Sequence, residues 1–83
     1  MSATQTTDQI QERVTEALVT FGADREAVVR DAGWEQLDID SLDLVELAQI
    51  MEDEYGVQIR EEDLKEIQTV GQAIDYVAAR AGS

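Results

Sequence analysis

Ser41 stands in the run Leu37-Asp38-Ile39-Asp40-Ser41-Leu42-Asp43-Leu44-Val45-Glu46-Leu47, where a polar stretch gives way to an apolar-periodic one. A hydroxyl in such a place can attack a substrate or be modified itself. Attack needs a neighbouring base to take the proton, most often histidine. The chain has no histidine and no cysteine, and no Gly-x-Ser-x-Gly elbow frames Ser41. These residue types point to a serine acted on by another enzyme, a point of attachment and not a catalyst.

Other chemistries fail on spacing. Asp38, Asp40 and Asp43 invite a calcium loop, which needs acids at positions one, three and five, glycine at six and glutamate at twelve. Counting from Asp38, those last three positions hold Leu42, Asp43 and Gln49. No glycine-rich phosphate loop is present, and no metal site is expected.

The serine must be positioned by a small domain. Eighty-three residues make a single unit, 1–83, with residues 1–6 expected to fray. With 43% hydrophobic but only 5% aromatic residues, the core must be built of aliphatic side chains. The absence of proline and the five glycines favour helices over a turn-rich β fold. A net charge of −13 repels nucleic acid and anionic membranes and attracts basic protein surfaces. No signal peptide or bilayer-length apolar run is present, so a cytoplasmic monomer is expected.

Periodicity supplies the elements. Ile10, Val14, Ala17, Leu18 and Phe21 form one helical stripe, with Thr7 or Asp8 as its cap and Gly22 past its end. Residues 23–40 read as a long ordered loop pinned by Val28, Trp34 and Leu37, with Trp34 a packing anchor. A second helix follows over about 41–55, with Asp40 as N-cap, Asp43 at the positive end of the dipole and Gly56 as terminator. Residues 61–66 make a short acidic helix carrying Leu64, with Ile67 beyond it. Thr69-Val70-Gly71-Gln72 has capping-box spacing and opens a last helix. The fold class is all-α: a four-helix bundle with a long first connection and a short third helix.

The second helix is apolar on two sides. At about 100° per residue, Leu44, Leu47, Ala48, Met51 and Tyr55 face the core. Leu42, Val45, Glu46, Gln49 and Asp53 lie opposite, with Asp43 at the shoulder. Leu42 and Val45 therefore sit on the face that should be wet. From Asp38 to Asp63 there are ten acidic residues and one basic, Arg60. An apolar pair among carboxylates suits docking to a basic partner, which the charge would steer. A merely solvated charged face is the competing reading.

Asp40-Ser41-Leu42 at a helix start, followed by Asp43, Val45, Glu46 and Leu47, resembles the acyl carrier proteins. The resemblance continues through residues 52–59 and 69–77 and covers roughly residues 8–80. It implies a four-helix bundle with Ser41 as the attachment site of 4′-phosphopantetheine, delivered from coenzyme A by a phosphopantetheinyl transferase, with Asp40 and Leu42 completing the motif. The arm's thiol would carry acyl groups as thioesters, so a chain without cysteine borrows one. The helix after Ser41 would be the recognition helix. Its contacts would be Leu42, Asp43, Val45, Glu46, Gln49 and Asp53, meeting basic patches on ketosynthase, acyltransferase and other synthase enzymes.

By the same analogy, an acyl chain would enter the core between the second and third helices. There Leu47, Met51, Ile59, Leu64, Ile67, Val70 and Ile74 would line its pocket. Asp38 stands where the family often has glycine, and Arg60 where it often has proline. The run Asp38-Ile39-Asp40-Ser41 favours an acyl over a peptidyl carrier. The size suggests a dissociated, type II system, and the departures lean towards polyketide assembly. Housekeeping fatty acid synthesis is the alternative. An acidic adaptor with no prosthetic group is the rival from another class.

Overall fold

The computed structural model of the chain describes residues 2–81, with side chains from Thr7 onward. Four helices follow one another: α1 (Ser2–Thr20), α2 (Ser41–Tyr55), α3 (Glu61–Glu66) and α4 (Val70–Ala81). No strand occurs among the described residues, and a single isolated bridge joins Gly33 to Thr69. The architecture is the expected all-helical bundle.

The α1 stripe is buried as its spacing requires: Ile10, Val14, Ala17 and Leu18 are inside. They meet Val70, Ala73, Ile74 and Val77 of α4 and Leu47 and Met51 of α2 in one aliphatic cluster. Each large side chain so buried contributes about 1.5–3 kcal/mol. The helix starts earlier than the sequence suggests. It is helical from Ser2, so Thr7 and Asp8 lie within α1 and neither caps it. Nothing between Ser2 and Thr6 breaks a helix, so the helix runs on ahead of its stripe.

The long connection is ordered by more anchors than expected. Asp24 Oδ1 accepts from Glu26 N and starts a single 3-10 turn, Arg25–Ala27. Trp34 and Leu37 are buried, and so are Ala23, Ala32 and Ile39. Val28 is half-buried and packs against the same core, whereas Val29 beside it is exposed. Trp34 is a packing anchor with a satisfied polar tip, its Nε1 donating to Ile67 O at 2.8 Å.

The loop is also fastened to the start of α4. Val70 N donates to Ala32 O at 3.0 Å and Gly71 N to Arg30 O at 2.9 Å. A Cβ on Gly71 would stand 3.0 Å from that same Arg30 oxygen, so glycine permits the approach. Outside it, Arg30 Nη2 reaches Asp75 Oδ2 at 2.7 Å. These ties fix where the chain enters α2.

A candidate attachment site at the start of α2

Ser41 is the first residue of α2, and its position is set on both sides. Asp40 is the N-cap: its Oδ1 accepts from Asp43 N at 2.9 Å, while Asp43 Oδ2 accepts from Asp40 N at 3.4 Å. Beyond the dipole and contact roles expected of it, Asp43 is half of a reciprocal capping box. Ile39 and Leu44 occupy the staple positions flanking this box, one buried and the other half-buried in the core. Both carboxylates are engaged with backbone donors, and Ser41 is exposed between them. Neither carboxylate is hydrogen-bonded to the Ser41 hydroxyl.

Asp38 explains one departure from the resemblance. Its φ is +57°, and it is the one non-glycine residue with positive φ among those described. Glycine suits that conformation, and aspartate is one of the few other residues that visit it. The sharp turn is kept, although the residue differs.

Between α2 and α3 an open groove of about 340 Å³ begins at the serine. It is lined by Ser41, Leu44, Val45, Glu61, Leu64 and Lys65. Behind it lies an apolar crevice in the core, almost closed at about 10 Å³. Leu47, Met51, Ile59, Leu64 and Ile67 line this crevice, together with Val14, Trp34, Leu44, Ala48, Ala73 and Val77. Val70 and Ile74 are buried in the same core but do not border the crevice. Leu44 and Leu64 border both spaces. Helical spacing put Leu44 on the core side. Its second role depends on where α3 crosses, which local periodicity does not encode.

The groove has room beside the serine hydroxyl for a linear arm. Its lining pairs aliphatic side chains with one cation and one anion, which suits a group with a phosphate at one end and an amide-linked chain beyond.

On the outer face of α2, Leu42 is 76% exposed and Val45 39%. Glu46, Gln49 and Asp53 are exposed beside them, and Asp43 is half-buried through its capping role. The core side is as expected, with Leu47, Ala48 and Met51 buried.

The short α3 is held by specific bonds at both ends. At its start Asp63 Oδ2 accepts from Arg60 N at 3.1 Å and from Tyr76 Oη at 2.9 Å. The Arg60 amide, then Tyr76, hold the Asp63 carboxyl below its ordinary range. Burial, then Asp63, push the Tyr76 phenol up. The Arg80 guanidinium lies 3.6 Å above the Tyr76 ring. Past its end, Ile67 is buried and its carbonyl takes the Trp34 bond. The α4 capping box forms as its spacing predicts, Gln72 N donating to Thr69 Oγ1 and Thr69 N to Gln72 Oε1.

An aliphatic helical bundle that presents a capped, solvent-exposed serine beside a groove is a scaffold for a tethered group. Comparison with known proteins agrees. Residues 8–77 match the family described as phosphopantetheine attachment site. The chain is 38% identical over 71 residues to an acyl carrier protein of Lactobacillus johnsonii, covering 84% of this chain and 80% of the relative. It is 39% identical over 77 residues to an acyl carrier protein of Petrotoga mobilis, covering 90% and 91%. The chain belongs to the acyl carrier protein family, whose members are carriers, not enzymes, and whose prosthetic group is phosphopantetheine.

Proposed function

We propose that Ser41 bears the 4′-phosphopantetheine group and that the chain presents acyl or polyketide intermediates to the enzymes of a type II polyketide pathway in the cytoplasm. The observation that carries this reading is the exposure of Ser41 at the first position of α2, at the mouth of a groove. When bound, the group supplies the thiol that a chain without cysteine lacks. Asp40 and Asp43 hold the start of α2 through the capping box and so keep the serine hydroxyl presented to the partner transferase. Leu42, Val45, Glu46, Gln49 and Asp53 form the face that partners grip, with acidic residues steering and the two apolar ones giving contact.

Intact mass after incubation with coenzyme A and a broad-specificity phosphopantetheinyl transferase tests the site. One phosphopantetheine should be gained by the wild type and none by Ser41→Ala. No gain, or a gain that survives the substitution, defeats the assignment. The polyketide leaning rests on Asp38 and Arg60, and fatty acid synthesis would use the same site. Mass analysis of the acyl groups carried by the protein from its native cells separates them: unreduced poly-β-keto chains favour the first, fully reduced saturated chains the second.

A further inference from the structure

We propose that Lys65 is a positioning residue for the arm, pairing with the phosphodiester formed at Ser41 and laying the arm into the groove between α2 and α3. The inference rests on Ser41 being the attachment site. A phosphodiester there adds a negative charge where Asp38, Asp40 and Asp43 already stand. The amide donors of α2 that could have received it are partly spent, since the capping box has taken Asp43 N. The new anion therefore has only part of the compensation that the start of its own helix could give.

The cations of the chain are few, and most are committed. Arg13 pairs with Glu54, Arg25 with Glu12 and Arg30 with Asp75. Arg80 stacks on Tyr76, and Arg60 leads into α3, where its charge acts on Asp63. Lys65, the sole lysine, has no ion pair among the described residues, although Glu61 precedes it by one helical turn. It also lines the groove that begins at Ser41. A flexible ammonium on a four-carbon stem can follow a phosphate as a point charge without a fixed geometry. Glu61, on the same wall, disfavours the phosphate on its side and leaves Lys65 as the place for it.

A single lysine makes the test direct. Protein labelled at lysine Cε gives one side-chain signal, followed by NMR against pH before and after loading with phosphopantetheine at low salt. Loading should raise the titration midpoint by about half a pH unit, as for opposite charges ~5 Å apart in water. The 31P line of the loaded protein should report a more mobile phosphate in Lys65→Gln, and wild-type behaviour in Lys65→Arg. Lys65 is exposed, so neither substitution threatens the fold. An unchanged midpoint in protein that intact mass shows to be fully loaded overturns the role of Lys65 while leaving the carrier reading intact. No mass gain at all overturns both.

Discussion

Leu44 of α2 and Leu64 of α3 are the two residues that border both the groove beside Ser41 and the nearly closed crevice of the core. They form the partition between the serine and the aliphatic interior. An attached acyl chain that reached the core would pass between them and widen a space of about 10 Å³.

The first prediction follows from that partition. Each buried methylene contributes about 0.8 kcal/mol before the cost of widening the crevice. Saturated chains loaded on Ser41 should raise the melting temperature as they lengthen, up to the length that fills the space. A polar polyketide chain should raise it less. Calorimetry on phosphopantetheine, butyryl and octanoyl forms measures this. An octanoyl form that melts no higher, with unmoved methyl shifts for Met51 and Leu64, would place the chain on the surface.

Asp38 supports a second prediction. Asp38→Gly and Asp38→Ala remove the same carboxylate, so their difference isolates the backbone. Glycine accepts φ +57° freely, whereas a Cβ there costs about 1 kcal/mol. The glycine variant should therefore melt higher than the alanine variant, by about 4–8 °C for a domain of this size. Equal melting temperatures would mean that the turn relaxes at no cost.

The contrast between helices and turns shows what the sequence made legible. The stripe of α1, the cap at Asp40, the ends at Gly22 and Gly56 and the box at Thr69 and Gln72 all depend on residues within four positions of one another. Spacing alone reveals such features. The twofold exposure of Leu44 and Leu64, the Tyr76–Asp63 bond and the approach of Gly71 to Arg30 join residues 13 to 41 positions apart. Their geometry is set by tertiary packing, and no local pattern announces it. Ile39 was hidden for another reason: between two aspartates it reads as part of a polar stretch, yet it is buried. The place of Ser41 at a helix start was readable because the capping signal of Asp40 is local.

A third prediction concerns pH. The folded pKa of Asp63 is depressed by the Arg60 amide and then by Tyr76. Its stabilisation is thus present above the unfolded value, near 4, and is lost as pH falls through the folded value. The phenol of Tyr76 is shifted the other way. Its contribution is present below the unfolded value, near 10, and is lost as pH rises through the folded one. Wild type should melt above Asp63→Ala near neutrality, and the gap should close on acidification below about pH 4. Taking the difference removes most of the acid relief of charge repulsion, which acts on both proteins. A gap that stayed constant down to pH 2 would show that the Asp63 carboxylate does not fasten α3.

The last prediction tests the outer face of α2. Glu46 and Asp53 are exposed and have no ion-pair partner within 4.0 Å among the described residues, so reversing them to lysine should change stability by only about 0.5 kcal/mol. Their contribution should instead be to encounter. Charge that steers two proteins together acts mainly on the association rate, over about one to three decades, and fades as salt rises. The doubly reversed variant should therefore load with phosphopantetheine roughly tenfold more slowly at low salt, with a flatter salt dependence than the wild type. Leu42→Ala should behave differently. With 76% of its surface exposed, Leu42 contributes little to the fold, and its apolar contact is made only after encounter. That substitution should weaken partner binding by raising the dissociation rate while leaving the salt dependence unchanged. Stopped-flow binding to a loading enzyme across a salt series, with helicity followed by circular dichroism, resolves the two effects. If both variants load at the wild-type rate at low salt while remaining folded, this face of α2 is a solvated surface and partners grip the chain elsewhere.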